Sequence, residues 1–115
     1  MAAAVAAGAF GAHGLRNRLD AYSMSVYEKA VFYHFIHAIG IIAVAILART
    51  NTIAIGTQTR VAGLLFLGIV IFSGSLYALA ISGLRMLGAI TPIGGIAFIA
   101  GWLLLAWEAL RAQRL

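Results

Sequence analysis

Tyr27–His37 reads YEKAVFYHFIH. A carboxylate, an ammonium, two tyrosines and two histidines open a run that then turns almost wholly apolar as far as Ala48. Tyr27, His34 and Ile41 recur every seven residues, with Ala30, His37 and Val44 between them. That pattern is one a/d-type seam, so the polar and apolar members of this face meet the same neighbours. His34 and His37 lie three apart and share a side of the helix. The spacing predicts a helix over 26–48, ended by Arg49-Thr50-Asn51-Thr52.

The rest of the chain names the solvent. Of its 115 residues, 63% are hydrophobic and only 10% are charged. The mean hydropathy is +1.03. Soluble domains carry about 25% charged residues. A small soluble fold must also expose much of its surface. These residues cannot cover such a surface, whereas lipid suits them. The net charge of +5 comes from cations standing between apolar runs, not from a basic stripe. That is how span-flanking cations are distributed, and nucleic acid is excluded as a partner. There are no cysteines, which removes disulfides and thiolate chemistry within one chain. Met1–Leu15 lacks the basic segment of a signal peptide and reads as a retained helix.

The fold class expected is all-α: an integral membrane four-helix bundle, antiparallel and up-down-up-down. It forms a single transmembrane domain over 1–115, with spans at about 1–18, 26–48, 61–81 and 91–109. In the first span Gly8 and Gly11 stand among alanines, and small faces let membrane helices approach closely. Gly74 in the third helix and Gly94 and Gly95 in the fourth have the same expected packing role. Ser25-Val26-Tyr27-Glu28 fits a capping box, Ser25 as N-cap and Glu28 at N3. Thr91 and Pro92 fit the N-cap and N1 of the fourth helix. Ile53-Ala54-Ile55 is expected at the interface, and Glu108 has Arg111 at a helix-neighbour spacing, with Arg114 a looser choice. Four cations fall at each end of such a bundle: Arg49, Arg60, Arg111 and Arg114 against Arg16, Arg18, Lys29 and Arg85. The positive-inside rule therefore selects no orientation.

Depth, counted at about 1.5 Å per residue, gathers the uncharged polar side chains toward one end. His13, Tyr33, His34, His37, Ser73, Ser75, Tyr77 and Thr91 all fall toward the end that carries the Arg16–Met24 loop. The first expectation is that they bond one another and lock the register of the helices. The second is a polar cavity for a small molecule, proton or ion, built on His13, His34 and His37. The third is a metal or haem site on the same histidines. No carboxylate stands at ligand spacing, and Ser73-Gly74-Ser75 has no Asp within membrane reach to orient a histidine. Catalytic residues, a metal and a cofactor are thus not assigned. Beyond the lipid bilayer, the expected partners are further copies of the chain or a larger membrane complex.

Four blocks occur in order: GAFGAHGL (Gly8–Leu15), YEKAVFYHFIHA (Tyr27–Ala38), FSGSLYAL (Phe72–Leu79) and LGAITPIGG (Leu87–Gly95). Together they resemble the YgdD-like family of small bacterial inner-membrane proteins, which has an animal transmembrane counterpart. The resemblance covers nearly the whole chain and implies a four-helix protein of the cell's inner membrane with no assigned reaction. It places the family's histidines on His13 and His37 and a common glutamine where His34 stands. It also implies more apolar residues before GAFGAHGL than this chain has.

Overall fold

The computed structural model describes residues 1–112 and is helical throughout. Helix α1 spans Ala2–Leu15, its last turn a π turn over Gly11–Leu15. Helix α2 spans Ala21–Arg49. Helix α3 spans Ile55–Ser82 and contains a π turn, Ile69–Ser73. A 3-10 turn, Arg85–Ala89, leads into α4, Thr91–Ala112. Three runs are long and apolar enough to cross a membrane: α2, α3 and Arg85–Ala112. Helix α1 rises only about 21 Å, less than the hydrocarbon thickness of about 30 Å.

Helix α2 starts earlier than its capping-box reading. Asp20 is the N-cap: its backbone is extended and its Oδ1 accepts the Ser23 amide at 2.7 Å. Nothing between Ala21 and Met24 resists helix, so the first adequate cap wins. Ser25 is therefore inside the helix, and Glu28 lies on its exposed surface with no capping role. Helix α3 also begins earlier than expected, and the connection before it is only residues 50–54. Ile53, within that connection, packs into the core. At the other end of α3, Gly83 takes φ +73° and its amide closes on Leu79 O at 2.8 Å. Glycine enters that left-handed region without the Cβ penalty.

Helix α2 packs against both α1 and α3, and α3 also packs against α4. Ala30, Val44, Val61 and Leu65 are fully buried along these seams. The main apolar core joins Val44, Ala48, Ile53, Val61, Leu65 and Phe98. Lipid tails are as apolar as these side chains, so close packing and dispersion hold the helices together, not the expulsion of water. Glycine permits that closeness most tightly at Gly11, Gly68 and Gly94. A methyl group at Gly11 would come within 2.5 Å of the Tyr27 ring, and one at Gly94 would strike the Phe72 backbone nitrogen. Gly8 and Gly95 have room for ordinary contact, and Gly74 faces open space. Gly74 thus has no packing partner, contrary to its expected role. Gly68, by contrast, receives the Phe98 ring. Arg111 and Glu108 do pair, at 3.9 Å, while Arg114 lies outside the described residues.

Gly94→Ala is expected to destabilise the folded protein in detergent by about 1–3 kcal/mol through overpacking. Gly74→Ala is expected to be neutral or to stabilise by up to about 1 kcal/mol through helix propensity. Thermal unfolding of the two variants separates them. The cap adds a pH dependence. The Ser23 amide, helped by its hydroxyl and the Tyr22 amide, holds the Asp20 carboxyl below its ordinary 3.8, against slight desolvation. A lowered folded value means stability present above 3.8 and lost as pH falls through the folded value. Unfolding midpoints followed from about pH 5 to pH 2 should show that loss, and Asp20→Asn should abolish this component.

Candidate functional site

The polar side chains do not pool into one cluster. Four separate hydrogen bonds instead join the helices two at a time. Tyr27 is 3% exposed, and its hydroxyl donates to Ala7 O on α1 at 2.7 Å. Ser73, fully buried at the end of the α3 π turn, donates to Ala30 O on α2 at 2.9 Å. His34 Nδ1 and Tyr77 Oη meet at 3.1 Å between α2 and α3. Ser75 and Thr91 share a hydroxyl contact of 2.7 Å between α3 and α4. Every buried side-chain nitrogen and oxygen among the described residues has a hydrogen-bond partner.

Local structure explains why these pairs meet. In the π turn, the Gly74 amide reaches Ile69 O five residues back. The extra residue shifts the face that α3 presents after it. Ser73 then points to α2, while Ser75, on the next stretch of helix, reaches α4. Thr91 is the first residue of α4, and its hydroxyl serves Ser75 and Leu87 O at 3.4 Å, so the expected N-cap bond is not its role. The preceding 3-10 turn carries the chain into α4 instead, with the Ile93 amide on Ile90 O at 3.1 Å. Pro92 sits in the first helical turn, where its missing N–H costs no helix bond.

The histidines have three different fates. His13 is exposed on the last turn of α1. His34 is half-buried against Tyr77. His37 is buried, with Nδ1 2.7 Å from Tyr33 O. An Nδ1 facing a carbonyl must carry the proton, which sets the tautomer. Its ring stacks on Phe98 at a centroid distance of 3.4 Å, with Tyr33 at 5.9 Å and Trp102 at 6.1 Å. His37 is thus a member of an aromatic stack. No group of three His, Cys, Asp or Glu side chains among the described residues is placed to hold a metal ion. The three-histidine site expected for a metal, haem or small ligand is not assembled, because His13 projects outward while the other two bond separately.

The lopsided distribution does appear in these pairs. All four interhelical bridges lie toward the Arg16–Asp20 connection, and the main apolar core lies toward the other end. Thr57 is the exception, 2% exposed near that apolar end. The sequence offered no signal for it, since it stood in a stretch read as loop.

Four helices, three able to cross a membrane, with hydroxyls paired across their contacts, define a small helical membrane protein. The chain belongs to the family described as Protein of unknown function (DUF423), whose profile matches residues 7–95. Its relatives carry the same class in their names. A UPF0382 membrane protein of Staphylococcus saprophyticus is 54% identical over 102 residues, covering 89% of this chain and 82% of its own. A UPF0382 membrane protein of Staphylococcus epidermidis is 48% identical over 108 residues, covering 94% of this chain and 86% of its own. The UPF0382 membrane protein YwdK of Bacillus subtilis is 45% identical over 108 residues, covering 94% and 87%. No solved structure matches.

A double-mutant cycle on Ser75→Ala and Thr91→Ala should give a coupling of about 0.6 kcal/mol, the average for interhelical bonds in membranes. Each hydroxyl also has a carbonyl three or four residues back to fall back on: Phe72 O for Ser75 and Leu87 O, in the preceding 3-10 turn, for Thr91. Unfolding in mixed micelles measures it.

Proposed function

We propose that the chain is a multi-pass protein of the cell's inner membrane with a structural or accessory role, not a catalytic one. The observation that carries this reading is the complete internal pairing of buried polar atoms among the described residues. Hydroxyls and imidazoles already engaged in holding helices together are poor candidates for ligating or reacting with a substrate. Such bonds contribute modestly each, but they select one register among the many an apolar seam allows.

The arrangement proposed is an antiparallel bundle with α1 to α4 running up-down-up-down. Contacts that step in opposite senses support it. Gly8 lies by Val31 and Gly11 by Tyr27; Tyr27 faces Tyr77 and Gly40 faces Leu65; Gly68 meets Phe98 and Gly94 meets Phe72. The order of the four sequence blocks supports the finer YgdD-like likeness. The Cα envelope is 54 × 26 × 16 Å. Helices pack about 8–10 Å apart, so this cross-section favours solid packing over a channel through one chain. Partners are then further copies or a larger complex, seated against exposed apolar faces.

Two experiments test the reading. The chain has no cysteines, so single ones report topology cleanly. Asn17→Cys and Ser82→Cys should label from one side of the membrane and Asn51→Cys from the other. Light scattering after size exclusion in mild detergent, with native pull-down, should find an oligomer or a co-purifying membrane partner. A strictly monomeric protein that brings nothing with it would refute the accessory role.

A further inference from the structure

A groove of about 460 Å³ runs between α1 and α2. That is within the range of about 300–1,000 Å³ typical of ligand sites. Its walls are Gly8 and Ala12 on one helix and Val31 and Phe35 on the other. From Gly8 to Arg16 on one helix and from Glu28 to Phe35 on the other, the helical rise is about 10–12 Å, the length of the upper part of an acyl chain. The Tyr27 ring, pressed against Gly11 and bonded to Ala7 O, forms its floor. Small residues on α1 keep the groove open, since larger ones at Gly8 or Ala12 would fill it.

Two opposite charges line the same groove: Arg16 and Glu28. Both are exposed, and the one ion pair among the described residues is Arg111 with Glu108, so these two do not neutralise each other. Glu28 also has no cap to serve, because Asp20 does that work. A carboxylate left at the edge of the hydrocarbon is costly and calls for a cation. The guanidinium of Arg16 calls for a phosphate, which it can hold in a two-pronged bond.

We propose that this groove holds one phospholipid whose headgroup carries both a phosphate and a primary ammonium, with one acyl chain along the α1–α2 wall. Arg16 binds the phosphate, and Glu28 accepts hydrogen bonds from the ammonium. A trimethylammonium has no N–H to give to Glu28, and a glycerol headgroup offers it no positive charge. The selectivity therefore lies in Glu28, the phosphate affinity in Arg16 and the chain fit in Gly8 and Ala12. This inference goes beyond the accessory role and stands or falls separately from it, because lipid retention is read per chain whatever the oligomeric state.

The test is lipid retention. The protein is reconstituted with equal amounts of phosphatidylethanolamine, phosphatidylcholine and phosphatidylglycerol, re-extracted in mild detergent and weighed by native mass spectrometry. One phosphatidylethanolamine per chain is expected, favoured over the other two by about three- to fivefold, the scale of an exposed ion pair. Glu28→Gln should erase that preference without removing binding, and Arg16→Gln should lower retention of all three lipids. Ala12→Phe should empty the groove. Ala12, Arg16 and Glu28 are exposed, and unchanged unfolding midpoints confirm that each variant folds. If Ala12→Phe does not fold, the Glu28→Gln comparison decides alone. Phosphatidylglycerol or phosphatidylcholine favoured by the wild type, no retained lipid, or a preference untouched by Glu28→Gln would each overturn the proposal.

Discussion

A hydroxyl in hydrocarbon has no water to bond, so it must find a partner in the protein. Ser73 bears the consequence of this constraint. Its Oγ reaches across to Ala30 O, a carbonyl already inside α2, and the contact is fully buried. To make that reach, α3 must come close to α2, and the seam there is lined by Ala30 rather than a larger residue. The same demand recurs at Tyr27 with Ala7 O and at Ser75 with Thr91. Between identical hydrocarbon surfaces, these short directional contacts distinguish one register from another.

The two π turns serve the same demand. Each adds a residue to a turn and so re-aims the side chains beyond it. In α3 the turn ends at Ser73, the residue that bridges to α2. In α1 it begins at Gly11, where the absent side chain admits the Tyr27 ring. Both turns lie at helix contacts that a regular helix would meet with a different face. The α1 turn lies inside one sequence block, GAFGAHGL, and the α3 turn ends in the first residues of another, FSGSLYAL. The blocks are better understood as packing instructions than as chemistry.

Glu28 illustrates how a residue changes meaning when a neighbour takes its place. In sequence it completes a capping box with Ser25. In the structure Asp20 caps the helix a full turn earlier, and Glu28 is left on the surface beside a groove with Arg16 across from it. The histidines change in the opposite direction, from a suggestive trio to three separate side chains. His37 has the most buried position and the most ordinary partners, a backbone carbonyl and an aromatic ring.

Composition and spacing alone determined that this is a helical protein for lipid, where the seam of α2 lies, and that the polar residues favour one end. Those features depend on residue type and on the fixed rise and period of a helix, which the chain carries locally. Tertiary structure alone decided that Asp20 and not Ser25 begins α2, that Gly74 is idle while Gly68 receives Phe98, and that His13 stays outside. It also decided the π turns, because no residue type demands one. Such outcomes depend on which faces meet and how closely, a competition among near-equal apolar contacts that only the assembled helices resolve.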